Sequence, residues 1–344
     1  MCSQGWQPTR MDTDLAEGDR IIEGVRIHWV ELGSSAATCS KKPPVVLLHG
    51  LADSHLTWRS VAPLLATDRR VLMPDLPGCG YSTRADVSYT LDWQSQIIAR
   101  WLEALALNTV DIVGHSFGGG VAQMLLLICP KRVRRIVLVA SGGLGREVGF
   151  WLKFATFPFM VEHYGQPFMA FGTRRAIGGA RLHGSAEDLE TQAGMNRMPG
   201  TARAFSRTVR SVINFRGQHR LFWQRAGEVD VLPPIRVFWG DSDALIPKAH
   251  GEAFIAALEG VDLVTFVGAG HYLHQEQPKA FVAATRAFFD APTLPRPRLR
   301  TTLPHNSQRR SHRLRKNVKS FMNLFQNRRK RPQREKRHDT AALG

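Results

Sequence analysis

At 344 residues the chain is about twice the roughly 150 residues that serve as a prior for one domain, so it holds a full core with material to spare. Its 43% apolar and 22% charged residues, with 30 Gly and 19 Pro, are ordinary globular usage and exclude a collagen-like, low-complexity or wholly disordered chain. The net charge of +17 belongs to one end: residues 291–344 hold 16 Lys and Arg against Glu335 and Asp339, while the preceding body carries only +3.

In chain order, Met1–Arg10 lacks the basic segment, apolar stretch and small-residue cleavage site of a secretory signal, and residues 1–20 read as an N-terminal extension. From Ile21 to Val30, Val25, Ile27 and Trp29 alternate with Arg26 and His28, which predicts an antiparallel edge hairpin. Short aliphatic runs at Val45–Leu48, Val71–Met73, Val110–Val113 and Ile136–Val139 predict buried parallel strands. Helices are expected between them at Thr57–Ala66, Leu91–Ala106 and Phe117–Cys129. In the second of these, Trp93, Ile97, Trp101 and Leu105 recur every four residues along one helix face.

Residues 142–230 show no clear buried strand and are too long for a loop, so a helical insertion is expected there. It opens with an aromatic stretch from Phe150 to Phe171 and is rich in arginine from Arg174 to Arg225. Strands then resume at Arg236–Trp239 and Leu263–Val267, with helices at His250–Leu258 and Pro278–Phe289, and the body is expected to end at Asp290. The alternation predicts an α/β fold: a doubly wound, mostly parallel sheet with right-handed crossovers, its core formed by residues 21–141 and 231–290. No apolar run reaches about 18 residues, so no transmembrane span is expected. Cys2, Cys39, Cys79 and Cys129 show neither a C-x-x-C pair nor metal spacing, which suits a reducing, cytoplasmic compartment.

Gly114-His115-Ser116-Phe117-Gly118 fits G-x-S-x-G and lies between a predicted strand and a predicted helix, the setting that exposes a serine hydroxyl on a strained turn. The amides at the start of that helix face the point where negative charge would develop. A serine hydroxyl needs a base, and the base needs an acid to hold its tautomer. Candidates follow the next two strands: Asp243 in Trp239–Asp243 and His271 in Gly268–His271. Both sit just past a strand's carboxyl end, the edge where open α/β sheets build their sites. Asp241 and His274 are rivals on proximity alone. Asp243 is preferred because the extra chain lets its carboxylate turn back toward the imidazole, whereas His274 falls near the start of the last helix. Zinc at His271 and His274 lacks a third ligand, and no metal site is expected. His49-Gly50-Leu51 follows the first central strand, so the amides of Leu51 and Phe117 can form a two-donor oxyanion hole. His49, Phe154 and Phe157 are the candidates for lining the substrate pocket. The loop Asp75–Ser82 is expected to shape the site, with Cys79 inert.

With these residues together the chain resembles the α/β-hydrolase fold family, in its lid-bearing serine branch of esterases, lipases and carbon–carbon bond hydrolases. It is most similar to actinobacterial hydrolases of undefined substrate. The resemblance spans about Ile21–Asp290 and rests on His49-Gly50, the Asp-x-x-Gly-x-Gly-x-Ser loop from Asp75 to Ser82, the Gly114–Gly119 elbow, Gly240–Asp243 and Gly270-His271. It implies that the acid is Asp243, the last residue of Gly-x-x-Asp, and that the insertion after the sixth strand is a lid. Haloalkane dehalogenases and epoxide hydrolases of this fold carry an aspartate where this chain has Ser116, which disfavours those activities. The expected function is a cofactor-free serine hydrolase that cleaves a small-molecule ester with a hydrophobic acyl group through an acyl-enzyme. The alternatives are a carbon–carbon bond hydrolase or acyltransferase using the same site, and a non-catalytic hydrolase-like binding protein.

Two basic regions remain. Arg174, Arg175, Arg181, Arg203, Arg207 and Arg210 of the insertion either steer an anionic substrate or form a solvated helix face. In the tail, Leu314, Val318, Phe321, Met322 and Phe325 share one helical face among Arg313, Arg315, Lys316, Lys319 and Arg328–Arg331. That basic amphipathic pattern suits peripheral contact with an anionic membrane better than nucleic-acid binding, because an apolar face adds little to phosphate contact. An unbound extension is the third reading.

Overall fold

The computed structural model describes residues 15–33, 41–149, 152–153, 156, 158–178 and 186–300. One eight-stranded sheet contains β1 (Ala16–Ile22), β2 (Val25–Leu32), β3 (Val45–Leu48), β4 (Val71–Pro74), β5 (Val110–His115), β6 (Val133–Val139), β7 (Ile235–Gly240) and β8 (Asp262–Phe266). Their spatial order is β1-β2-β4-β3-β5-β6-β7-β8. β2 runs antiparallel to β1 and to β4, and the other neighbours are parallel. All residues of β3, β4 and β5 are buried. Since successive side chains point to opposite faces, both faces of this part of the sheet must be covered.

The strand order reverses at β3, which has β4 on one side and β5 on the other. Loops leaving the carboxyl ends of β3 and β5 therefore diverge, and open α/β sheets bind ligands in such a crevice. Two helices flank the strands here: α1 (Leu91–Ala104), whose Ile97 and Trp101 are wholly buried, and α2 (Phe117–Ile128). Thr90 caps α1 by accepting the Trp93 amide at 3.2 Å. The helix expected over Thr57–Ala66 is broken into a 3-10 turn at His55–Trp58 and a helical turn at Ala62–Leu65. Pro63 supplies no N–H, so a continuous helix would lose a rung there.

Between β6 and β7 the chain forms α3 (Pro158–Tyr164), α4 (Met169–Gly178), α5 (Ala186–Arg197) and α6 (Thr201–Val212), then a small ribbon pairing Ile213–Asn214 with Gly217–Gln218. Arg84 of the body reaches into this insertion, donating to Thr201 Oγ1 at 2.6 Å and to the Met195 carbonyl at 3.0 Å. Most of the insertion's described arginines are answered by acids. Arg174 pairs with Glu190, Arg203 with Asp86, Arg207 with Asp86 and Glu162, and Arg210 with Glu162. They fasten the helices rather than present bare charge.

Helices α7 (Ala249–Ala257) and α8 (Pro278–Phe289) complete the body. Both of its ends differ from the sequence expectation. β1 begins at Ala16, inside the stretch read as an extension, because the hairpin's outer strand is polar and gives no apolar signal. At the other end the ordered body runs past Asp290: Arg298–Leu299 pairs with Leu258–Glu259, and Arg135 holds the carbonyl of Ala291. The amphipathic tail pattern, which falls within residues 301–344, lies outside the described residues. Among the described residues no helix is long and apolar enough to cross a membrane.

Candidate active site

Ser116 stands between β5 and α2 with φ 52° and ψ −114°, a left-handed backbone that a side chain strains to adopt. Main-chain bonds enforce it: the Ser116 amide donates to Val139 at 3.0 Å, and its carbonyl accepts from Gly142 at 2.9 Å and Gly119 at 3.1 Å. The turn is possible only without neighbouring side chains. A Cβ at Gly118 would lie 2.3 Å from the Leu48 carbonyl oxygen, and one at Gly114 would lie 2.6 Å from the Gly118 carbonyl oxygen. Among the buried residues from Val110 to Leu126, Ser116 alone is partly exposed.

β7 and β8 deliver the other two candidates. His271 Nδ1 and Asp243 Oδ2 are 2.8 Å apart, with the Asp243 side chain wholly buried. The second carboxylate oxygen accepts the amides of Leu245 at 2.8 Å and Ile246 at 2.9 Å. The acid is thereby clamped with one oxygen aimed at the ring. A carboxylate only accepts, so Nδ1 carries a proton, and in the neutral ring the lone pair falls on Nε2. The rivals have other work. Asp241 accepts the Gly268 amide at 2.8 Å and ties the two loops together. His274 is buried against Trp58 and bonded to Thr57 at 3.0 Å, and burial followed by repulsion from His271 pushes its pKa down to about 3.

His115, the variable residue before the serine, joins the elbow to the histidine loop: its Nε2 donates to the His271 carbonyl at 3.0 Å. The sequence motif marks that position without assigning it a task. Burial, with help from the neighbouring His274 and His271, holds the His115 pKa well below the ordinary imidazole value, so it is a neutral strut. On the other side, Gly50 abuts the elbow, where a Cβ would come within 3.3 Å of Ser116 Cβ. Phe117 is the first residue of α2, a position whose amide has no acceptor within the helix.

The pocket assignment of His49 is corrected by the structure. Its side chain is wholly buried, Nε2 accepts the Leu76 amide at 2.9 Å, and Nδ1 donates to the Gly50 carbonyl at 2.8 Å. With both nitrogens engaged it braces the β3 and β4 loops and has nothing left for a substrate. Phe154 and Phe157 lie outside the described residues. Burial pushes the Cys79 thiol up to about 12, in keeping with an inert residue.

Sequence reading missed the grip of the insertion on the turn after Leu51. Asn196 Nδ2 donates to the Ala52 carbonyl at 2.8 Å and Gln192 Nε2 to the same oxygen at 3.2 Å, while Ser54 Oγ bonds to Gln192 Oε1. Next in line, Asp53 is buried with one carboxylate oxygen unpartnered among the described residues, and burial pushes its pKa up to about 7. The unfolded chain releases this proton near 3.8 and the folded chain near 7, so folding becomes less favourable as pH rises through that window. Asp53→Asn should therefore stabilise the protein more at pH 8 than at pH 5, by about 3 kcal/mol at 1.36 kcal/mol per pKa unit. Denaturant unfolding of both proteins at the two pH values checks this.

Sequence spacing also showed no metal set, yet the fold gathers His28, His55 and Asp75 from three separate elements, with ligand atoms within 4.8 Å of one another.

Residues 43–278 match the family described as alpha/beta hydrolase fold. The chain is 30% identical over 281 residues to an uncharacterized protein of Mycobacterium tuberculosis H37Rv, covering 79% of this chain and 80% of that one. It is 43% identical over 129 residues to 2-hydroxymuconate semialdehyde hydrolase of Pseudomonas sp. CF600, covering 36% of this chain and 43% of the relative. Among solved structures it is similar in fold to a meta-cleavage product hydrolase from Pseudomonas fluorescens IP01, with TM-score 0.61, 21% identity, and coverage of 79% of this chain and 97% of the other.

Proposed function

The chain belongs to the α/β-hydrolase fold family, and from that premise we propose that it is a serine hydrolase that cleaves esters of hydrophobic acyl groups. The observation that carries this is the clamped Asp243–His271 pair at 2.8 Å, standing with the strained Ser116 turn on the carboxyl edge of the sheet. In this reading Ser116 Oγ attacks the carbonyl carbon and gives its proton to His271 Nε2. The amides of Leu51 and Phe117 receive the oxyanion, each donor being worth about 2.7–4 kcal/mol in the transition state. His271 returns the proton to the departing alcohol, and water then releases the acid by the same steps. No metal or cofactor is invoked.

The likeness to 2-hydroxymuconate semialdehyde hydrolase favours a second reading, attack of the same site on a ketone carbonyl with carbon–carbon cleavage. One experiment separates the two. The chain is labelled with a fluorophosphonate probe, then assayed on p-nitrophenyl esters of rising acyl length and on a 2-hydroxy-6-oxo-dienoate. Labelling with ester turnover supports the first reading; labelling with dienoate turnover alone supports the second; no labelling removes both.

For the tail we propose adsorption to anionic bilayers, at about 1 kcal/mol for each base near the surface. The full chain should sediment with phosphatidylserine vesicles at low salt and stay in solution with phosphatidylcholine vesicles. Equal sedimentation with both would remove the electrostatic basis.

A further inference from the structure

The edge hairpin, the turn after β3 and the loop after β4 meet in a cluster outside the chemistry proposed above. His28 comes from β2, His55 opens the His55–Trp58 turn, and Asp75 follows β4. We propose that these three residues bind a divalent transition-metal ion of the zinc class.

The donor set itself suits such an ion. Two imidazoles and one carboxylate, with a fourth position for water, are the mixed nitrogen and oxygen ligands that Zn²⁺ and its neighbours accept. The three ligand atoms already fall within 4.8 Å of one another, so modest side-chain movement brings all of them onto one ion.

His28 supplies an independent indication. Its side chain is only 7% exposed, and its Nε2 is buried with no hydrogen-bond partner among the described residues. A ring nitrogen left bare in the interior costs free energy unless something meets it. The other nitrogen, Nδ1, faces Asp19 Oδ1 at 3.3 Å. A carboxylate there fixes the proton on Nδ1 and leaves the Nε2 lone pair free, the arrangement that stands behind metal-bound imidazoles.

Asp75 is equally prepared. The amides of His55 at 2.7 Å and Tyr81 at 2.8 Å hold its two oxygens in place. Those oxygens lie 3.0 and 3.1 Å from His55 Nδ1. Burial alone would raise this carboxyl, but hydrogen bonding and attraction from His55, attraction from His49 and the Tyr81 amide together outweigh it and hold the group below the usual carboxylate range. When the ion enters, the His55 proton moves from Nδ1 to Nε2 through solvent, and the freed Nδ1 lone pair shares the ion with Asp75. The 12% exposure of the His55 side chain gives the ion a way in. Bound there, the ion would tie the β1–β2 hairpin to both loops.

The test uses the full-length chain, freed of metal with EDTA and titrated with Zn²⁺ by calorimetry and with Co²⁺ by visible absorption. One equivalent should bind with the spectrum of a nitrogen and oxygen ligand set. His28→Gln and His55→Gln should each abolish that equivalent. Asp19→Asn, at a half-exposed strand position, should weaken it about tenfold or more without touching the ion. Circular dichroism and melting of the metal-free variants, matched to the metal-free parent, guard against misfolding. Binding by His305, His312 or His338 of the tail would persist in all three variants. If the three variants bind Zn²⁺ with the parent's stoichiometry and affinity, the proposal fails, and the edge-on packing of His28 on Tyr81 at 5.3 Å accounts for the ring by itself.

Discussion

Ser116→Ala is expected to lower turnover about a million-fold, the loss measured when the nucleophile of a comparable triad is removed. Alanine keeps Cβ and meets the same backbone strain as serine, so the main-chain bond to the Val139 carbonyl and those from the Gly119 and Gly142 amides should persist. The loss is then one of chemistry and not of folding. Substrate affinity should change little, because the amides proposed to receive the oxyanion and the imidazole remain. Steady-state kinetics with active-site titration measures it. A variant within tenfold of the parent would mean that hydrolysis runs through another group.

Asp243→Asn should cost about ten-thousand-fold in turnover, the scale seen when a triad acid becomes an amide. The geometry states why. Oδ1 receives two amides, from Leu245 and Ile246, so an asparagine must place its carbonyl oxygen there. Its NH₂ then points at His271 Nδ1, which becomes the acceptor, and the ring proton is driven to Nε2. An imidazole with a proton on Nε2 cannot take one from Ser116. Asp241→Asn changes only the tie to Gly268 and should leave turnover within a few-fold. If the two substitutions have equal effects, the identity of the acid is wrong.

The inner strands β3 to β7 were legible because each is a short, mainly aliphatic run buried on both faces, and the three candidate catalytic residues because each lies just past an apolar run, whereas the polar β1 gave no such signal. What separates Asp243 from Asp241 is which carboxylate turns inward, a matter of two amides four residues or fewer away that no pattern encodes. His49 shows the converse. Its place after a strand at the site edge suggests substrate contact, yet the Leu76 amide, brought in by β4, claims its ring. The grip of Gln192 and Asn196 on Ala52, and the meeting of His28, His55 and Asp75, join residues distant in the chain. Side-chain direction across elements decides such contacts, and periodicity carries no record of it. Pro63 was visible all along, and its break of the helix follows from the missing N–H alone.

The conformation of residue 116 sets durability against activity. A non-glycine residue there stores about 1–3 kcal/mol, a sizeable share of the 5–15 kcal/mol by which a typical domain outlasts denaturation. Glycine would relax the turn and discard the hydroxyl in one step. Selecting variants for heat endurance alone therefore enriches silent chains, and any laboratory evolution of this protein has to score product formation beside survival.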